Sequence, residues 1–158
     1  MGRQGDGVGI DVRQKSEDGL DDTVVPVRIK LSLLWVSVML CYIYCDYFEL
    51  YIPGKLQSML EGRMGPLGAV TQSMLLGTAV LMAIPSLMVF LSIALPPTLS
   101  RLANIVLGIL YSIIMLFVVL YPSWVFYRFF GVLEIALTLL VVWYAWTWPK
   151  RIRRKTQS

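Results

Sequence analysis

The chain has 158 residues, of which 57% are hydrophobic and only 15% are charged, and its formal net charge is +4. A soluble globular protein with this composition would expose far too much apolar surface, so that class is excluded. We expect one compact membrane domain.

The first 28 residues are polar and rich in Gly, Asp and Arg, which predicts a disordered tail. Four apolar runs follow, each at or above the about 20 residues that a helix needs to cross a hydrocarbon core. Because lipid offers the backbone no hydrogen-bond partners, such runs form helices. The sequence therefore predicts an all-α polytopic membrane protein, a four-transmembrane-helix bundle. Its domain spans 29–149, with helices at about 31–52, 67–95, 102–121 and 124–148, and a basic tail covers 150–158.

Lys and Arg beside the helices predict the orientation, because cytoplasmic flanks are enriched in both residues. We expect both termini on the cytoplasmic side of the cell (inner) membrane. The side predicted to face the cytoplasm carries Arg28, Lys30, Arg101 and the tail, and the opposite side carries Lys55, Arg63 and Arg128.

The tail at 150–158 contains the basic run KRIRRK. Such a run can bind nucleic acid, but directly after a membrane helix it favours binding to anionic lipid headgroups. We expect no nucleic-acid partner.

Aromatic residues crowd the predicted outer ends of the first and fourth helices, which is typical of the membrane interface. In the first helix this interfacial belt is expected to contain Tyr42, Tyr44, Tyr47, Phe48 and Tyr51.

Small residues repeat every four positions and predict the faces on which membrane helices meet. The second predicted helix offers Ser73 and Gly77, and the third offers Gly108 and Ser112 in line with Asn104. We expect these faces to point inward. Pro85 lies inside the second predicted helix and is expected to kink it.

Four charged residues fall within the apolar runs, where an ionisable group normally faces a partner or water. Asp46, Glu49 and Arg128 are predicted near the outer surface. We expect Asp46 or Glu49 to pair with Arg128, most simply as a partly solvated ion network that fixes the first helix against the fourth.

Glu134 is the fourth charge and is predicted close to mid-membrane, with no cation at its depth. Desolvation then favours the neutral carboxylic acid. Two interpretations stay open. Glu134 either hydrogen-bonds Asn104, Ser112 or a backbone carbonyl and holds helices together, or it exchanges protons within the membrane.

Residues for other chemistry are scarce. Cys41 and Cys45 lie four apart on one predicted helix face, but the chain has no His and no third Cys, so a zinc site of four protein ligands cannot be built in one chain. Neither a phosphate-binding glycine loop nor a dinucleotide fingerprint is present. We expect no cofactor, no metal site and no enzymatic activity, and we interpret both cysteines as packing residues.

Four segments resemble an uncharacterised family of small four-helix membrane proteins, mostly bacterial, known only as a domain of unknown function. The segments are LSLLWVSVMLCYIYCD, AIPSLMVFLS, RLANIVLGILYS and LEIALTLLVVWYAWTW. The resemblance implies a four-helix fold with polar positions at Asp46, Asn104 and Glu134. One departure is Ala83, where members of the family often have an acidic residue before the Ile-Pro pair.

Two hypotheses for function remain. The first is a structural or accessory membrane protein, in which Glu134, Asn104 and the small residues hold helices together within a homo-oligomer or beside a partner subunit. It predicts that Glu134→Gln keeps function while Glu134→Leu harms assembly. The alternative is a small oligomeric proton-linked transporter or channel with Glu134 as the proton-carrying group and Arg128 at the outer mouth. It predicts pH-dependent flux that Glu134→Gln abolishes.

Overall fold

A computed structural model describes residues 25–64, 68–121 and 123–149. Within these ranges the chain forms five α-helices and no β-strand. Four helices are long and apolar enough to cross a membrane, and α2 is the exception. The prediction of an all-α chain with four membrane-spanning helices is therefore confirmed. The helices are α1 (Val27–Glu49), α2 (Lys55–Leu60), α3 (Gln72–Ala94), α4 (Pro97–Leu120) and α5 (Val125–Trp146).

Both predicted tails fall largely on residues that the structure does not describe. Residues 1–24 of the N-terminal segment and all of 150–158 lie outside the described ranges. The predicted disorder of the first segment and the predicted headgroup binding of the second therefore stay predictions.

The helix boundaries differ from the limits of the apolar runs because helix ends depend on capping residues. Helix α1 begins at Val27 rather than at 31, since the carbonyl of Pro26 accepts the first backbone hydrogen bonds. Helix α3 begins at Gln72 rather than at 67, where the Thr71 side chain accepts a bond from the Met74 N–H at 3.2 Å. Helix α4 begins at Pro97 rather than at 102, because proline is pre-organised for a first helical position.

Helix α2 was not predicted, because its six residues are too short for a periodic apolar pattern. It follows Gly54, whose φ of +80° places it in the left-handed region that glycine adopts without strain. The turn at Gly54 therefore connects α1 to α2.

The four long helices run up and down, so that α1 packs against α3 and α5 while α4 packs mainly against α5. The starts of α1 and α4 therefore lie beside the ends of α3 and α5. We call this the basic end, and it contains Arg28, Lys30 and Arg101. The opposite end, which contains Phe48, Phe126 and Phe130, is called the aromatic end.

At the basic end, two arginines bind the carboxyl-terminal carbonyls of neighbouring helices. Arg28 donates to the Ile93 carbonyl at 3.0 Å, and Arg101 donates to the Trp146 carbonyl at 3.1 Å. A cation is favoured there because helix dipoles place partial negative charge at the carboxyl end. The basic residues thus hold helices together. Which side of the membrane this end faces stays a prediction.

Glycine at position 108 allows α4 to approach α5 closely. A Cβ on Gly108 would lie 2.7 Å from the Val142 Cγ2 atom of α5 and 3.2 Å from the Thr138 carbonyl oxygen. The predicted inward position of Gly108 is therefore observed.

The corresponding prediction for α3 needs correction. Ser73 and Gly77 are exposed, and a Cβ on Gly77 would meet no atom within 4 Å. The inner face of α3 instead presents Pro85, Met88 and Ser92. The four-residue spacing placed Ser73 and Gly77 correctly on one face but could not tell that this face points away from the bundle.

Candidate functional site

The largest polar cluster in the bundle is centred on Asn104, which is fully buried. Its Oδ1 atom accepts hydrogen bonds from Trp35 Nε1 at 2.8 Å and from Ser92 Oγ at 3.2 Å. Its Nδ2 group donates to the Ser100 carbonyl at 2.7 Å. Asn104 therefore joins α1, α3 and α4 near the basic end.

Two serines extend this cluster by bonding backbone carbonyls of α3. Ser100 donates to the Ser92 carbonyl at 2.9 Å, and Ser32 donates to the Val89 carbonyl at 2.8 Å. The bonds of Asn104 and Ser100 pair buried donors with buried acceptors, as an apolar environment requires, and the bond of Ser32 is partly buried. A cluster that is satisfied in this way holds helices in register and leaves its central amide no spare hydrogen-bonding role.

A second polar contact joins α4 to α5. The hydroxyls of Ser112 and Thr138 lie 2.7 Å apart, and Ser112 is also close enough to donate to the Gly108 carbonyl at 2.8 Å. Neither Ser112 nor Asn104 bonds the Glu134 side chain. The prediction that one of these two residues holds the Glu134 carboxyl is therefore wrong, because each has nearer partners on its own or an adjacent helix.

Glu134 is buried, with only 2% of its surface exposed. It faces α1 and lies close enough for its charge to act on Cys41, Tyr42 and Cys45. Asp46, one turn further toward the aromatic end, also acts on Glu134. Within the described ranges, no hydrogen bond joins its carboxyl group to another residue.

Tyr42 is a site residue that the sequence placed wrongly. It was expected in the interfacial belt, but it is 5% exposed, and its buried hydroxyl has no hydrogen-bond partner among the described residues. The spacing of Trp35, Val38, Tyr42 and Cys45 puts them on one helix face, and all four are buried. That spacing could have identified Tyr42 as an inward residue.

The outer ion group is arranged differently from the prediction. Glu49 pairs with Lys55 of α2 at 2.5 Å, and no ion pair within the described ranges includes Arg128. Asp46 and Arg128 are both exposed. The expected pairing of Asp46 or Glu49 with Arg128 is wrong, because the turn at Gly54 returns Lys55 to the end of α1.

An apolar hollow of about 350 Å³ opens at the aromatic end. It lies between the end of α1 and the start of α5, where the rings of Phe48 and Phe130 stack with centroids 6.2 Å apart. Its lining residues are Phe48, Tyr51, Ile52, Trp124, Phe126 and Phe130.

Metal-binding groups do not converge in the described part of the chain. Cys41 and Cys45 are buried free thiols, and no group of three His, Cys, Asp or Glu side chains there could hold a metal ion. The chemistry that the buried polar residues can perform is hydrogen bonding and, at Glu134, proton exchange.

Four apolar helices long enough to cross a membrane, packed around hydrogen-bonded polar residues, define a small helical membrane protein. The chain belongs to DUF6326, a family of unknown function, whose family model matches residues 26–154. The family resemblance seen in the sequence is thus confirmed. Comparison with curated proteins and with solved structures gives no match. Function must therefore be argued from the arrangement of the residues.

Proposed function

We propose that this protein is a non-catalytic accessory subunit of the cell membrane that assembles with other membrane helices through the outer face of α3. The observation that carries the proposal is the exposure of Ser73 and Gly77. Small residues four apart let helix backbones approach closely in lipid, where packing rather than hydrophobic expulsion drives association. In this chain the Ser73–Gly77 pair lies on the outside of the bundle.

The packing of the bundle interior supports a structural role. Trp35, Tyr111 and Met88 are almost completely buried, and Asn104 is fully hydrogen-bonded between three helices. The hollow at the aromatic end lies on the surface between α1 and α5. An interior filled by large side chains suits a stable subunit better than a conduit for a solute.

Disulfide crosslinking in native membranes tests the proposal. Cys41 and Cys45 are buried, so a crosslink formed at the lipid-facing surface is expected to come from the introduced cysteine alone. We expect Ser73→Cys to form a crosslinked species, either a homodimer or an adduct with a partner subunit. Leu116→Cys is the matched control, because Leu116 is an exposed residue of α4 also near the aromatic end.

A second variant separates assembly from folding. Gly77→Ile should abolish the Ser73→Cys crosslink while leaving the unfolding midpoint of the isolated chain unchanged, because no atom lies within 4 Å of a Cβ at this position. Equal crosslinking at 73 and 116, or a crosslink that survives Gly77→Ile, would refute assembly through α3.

We further propose that the basic end faces the cytoplasm, with both termini there. Arg28, Lys30 and Arg101 at this end support the orientation. A membrane-impermeant thiol reagent applied to intact cells should label Gln57→Cys of α2 and not Thr98→Cys in the first turn of α4. Labelling of Thr98→Cys alone would reverse the orientation.

The transport alternative is favoured by one observation, the burial of Glu134 with a carboxyl group that has no hydrogen bond to another described residue. Because the interior of one chain is filled, a pathway would have to form between chains. Proton and ion flux into proteoliposomes tests it. pH-dependent flux that Glu134→Gln removes, with folding unchanged, would support transport, and no flux in either form would favour the accessory role.

A further inference from the structure

We propose that Glu134 and Tyr42 form a proton-binding site between α1 and α5, which holds water and exchanges protons with the aromatic end alone. The site is independent of assembly through α3. It would make the protein respond to pH on one side of the membrane without carrying protons across a single chain.

The unpartnered hydroxyl of Tyr42 is the first observation. Tyr42 and Glu134 are 5% and 2% exposed, and both are inward residues of α1 and α5, which pack against each other. The Tyr42 hydroxyl nevertheless has no partner among the described residues. Leaving a buried hydroxyl unbonded costs about 1–3 kcal/mol. A water molecule between the hydroxyl and the carboxyl would satisfy both groups.

The titratable groups near Glu134 favour a proton as the ligand of its carboxyl group. From α1 it is faced by Cys41, Cys45 and Asp46 in addition to Tyr42, and from α5 itself by Tyr127. From α4 the only titratable side chain near this cluster is Tyr111, which acts on Tyr42, and α3 contains no titratable residue.

None of these neighbours is a cation. Lys55 pairs with Glu49, Arg128 is exposed, and the remaining described basic residues of the long helices lie at the basic end. With nothing to balance a negative charge, Glu134 is best satisfied by a bound proton. Among the described residues, no group of three His, Cys, Asp or Glu side chains could hold a metal ion.

Access is expected from one direction. Asp46 is exposed and lies one helical turn beyond Tyr42, so its carboxylate can pass protons between outside water and the buried pair. Toward the basic end, the Ser112–Thr138 contact and the fully buried Val38 and Val141 fill the bundle. Protons are therefore expected to reach the site past Asp46 and not from the basic end.

Infrared difference spectroscopy of the full chain in phosphatidylcholine nanodiscs tests the site. We expect a protonated-carboxyl band that disappears at alkaline pH and is lost in Glu134→Gln. Glu61→Gln, which alters an exposed carboxylate of the loop, should keep the band. If Glu134→Gln fails to fold, Glu134→Asp retains a carboxyl and should shift the band rather than remove it.

Tyr42→Phe separates the proposed pair from an isolated acid. Removing the hydroxyl should shift both the band frequency and the pH at which the band disappears. Tyr44→Phe, on the exposed side of the same helix, should change neither. An unshifted band in Tyr42→Phe would overturn the pairing.

The one-sided route has its own test in vesicles sorted for a single orientation. A pH step on the aromatic side should change the band, Asp46→Asn should slow this change severalfold, and a step on the basic side should leave the band unaltered. A response from the basic side would overturn the proposal in favour of transport. Loss of the band on adding Na⁺ at constant pH would overturn it in favour of a cation site.

Discussion

Tyr111 donates its phenolic hydroxyl to the backbone carbonyl of Leu81, with 2.5 Å between the two oxygen atoms. In a regular helix that carbonyl would accept the N–H of the residue four positions later, which here is Pro85 and has no N–H. A side chain of α4 thus satisfies the acceptor that a proline of α3 leaves free. Membrane helices tolerate internal proline where a neighbouring helix supplies such a bond.

Tyr111→Phe should destabilise the bundle, because the partly buried Leu81 carbonyl would lose the hydrogen bond that Tyr111 donates. We expect a loss of about 1–2 kcal/mol in the free energy of unfolding. Unfolding in mixed micelles with increasing dodecyl sulfate, followed by circular dichroism, would measure it.

The same substitution in a Pro85→Ala background provides the control. Alanine at 85 restores an N–H that can bond the Leu81 carbonyl within α3, so Tyr111→Phe should then cost clearly less. An equal cost in both backgrounds would show that the Tyr111 hydroxyl does not compensate for the proline.

Asn104→Ala should weaken the contacts among α1, α3 and α4 together. It removes the acceptor of Trp35 Nε1 and Ser92 Oγ, and both donors are buried. We expect a cost of about 1–2 kcal/mol, at the upper range for hydrogen bonds between membrane helices. Tryptophan fluorescence during unfolding would follow it, and the cost should fall in a Trp35→Phe background. Additive costs would contradict a shared network.

Gly108→Ala should be destabilising because its methyl group would meet a backbone carbonyl that cannot move easily. The new Cβ would lie 3.2 Å from the Thr138 oxygen and 2.7 Å from Val142 Cγ2. We expect a loss of about 1–3 kcal/mol in the same unfolding assay. Gly77→Ala is the matched control. It should be neutral or stabilise the isolated chain by up to about 1 kcal/mol, since alanine favours a helix. Equal effects would argue against the close approach of α4 to α5.

Lys55→Gln should loosen α2, which is tied to α1 by the pair between Lys55 and Glu49. Because both side chains keep some solvent exposure, we expect only about 0.3–1 kcal/mol. Hydrogen–deuterium exchange of the α2 amides should become faster in the variant. High salt screens the ion pair, so it should raise the exchange rate of the wild type toward that of the variant. Arg63→Gln is the control, because its contact with Glu61 is exposed and 3.9 Å long. Faster exchange in both variants would mean that the ion pair has no special role.

Interior positions show where prediction from the sequence was sufficient. Asn104, Gly108 and Glu134 were expected to point inward, and all three are buried. They belong to helices whose polar or small residues repeat along one strip, so the residues themselves identify the protected face. Ser73 and Gly77 form an equally regular strip, but it points outward.

The contacts that individual side chains make were predicted less well than the buried positions of Asn104, Gly108 and Glu134. Glu49 was expected to reach Arg128, but a short turn brings Lys55 to it instead. Tyr42 was assigned to the membrane interface by residue type, yet it packs inside. Such contacts depend on loop geometry and helix rotation, which local periodicity does not contain.

The sequence by itself determined that the chain forms four helices long and apolar enough to cross a membrane, because the length and apolarity of each run decide this without reference to any other segment. Only the tertiary structure decided which faces meet. The hydrogen bond between Trp35 and Asn104 and the compensation of Pro85 by Tyr111 both join residues far apart in the chain. Every helix could present several faces to a neighbour, and the choice among them depends on how all four pack at once.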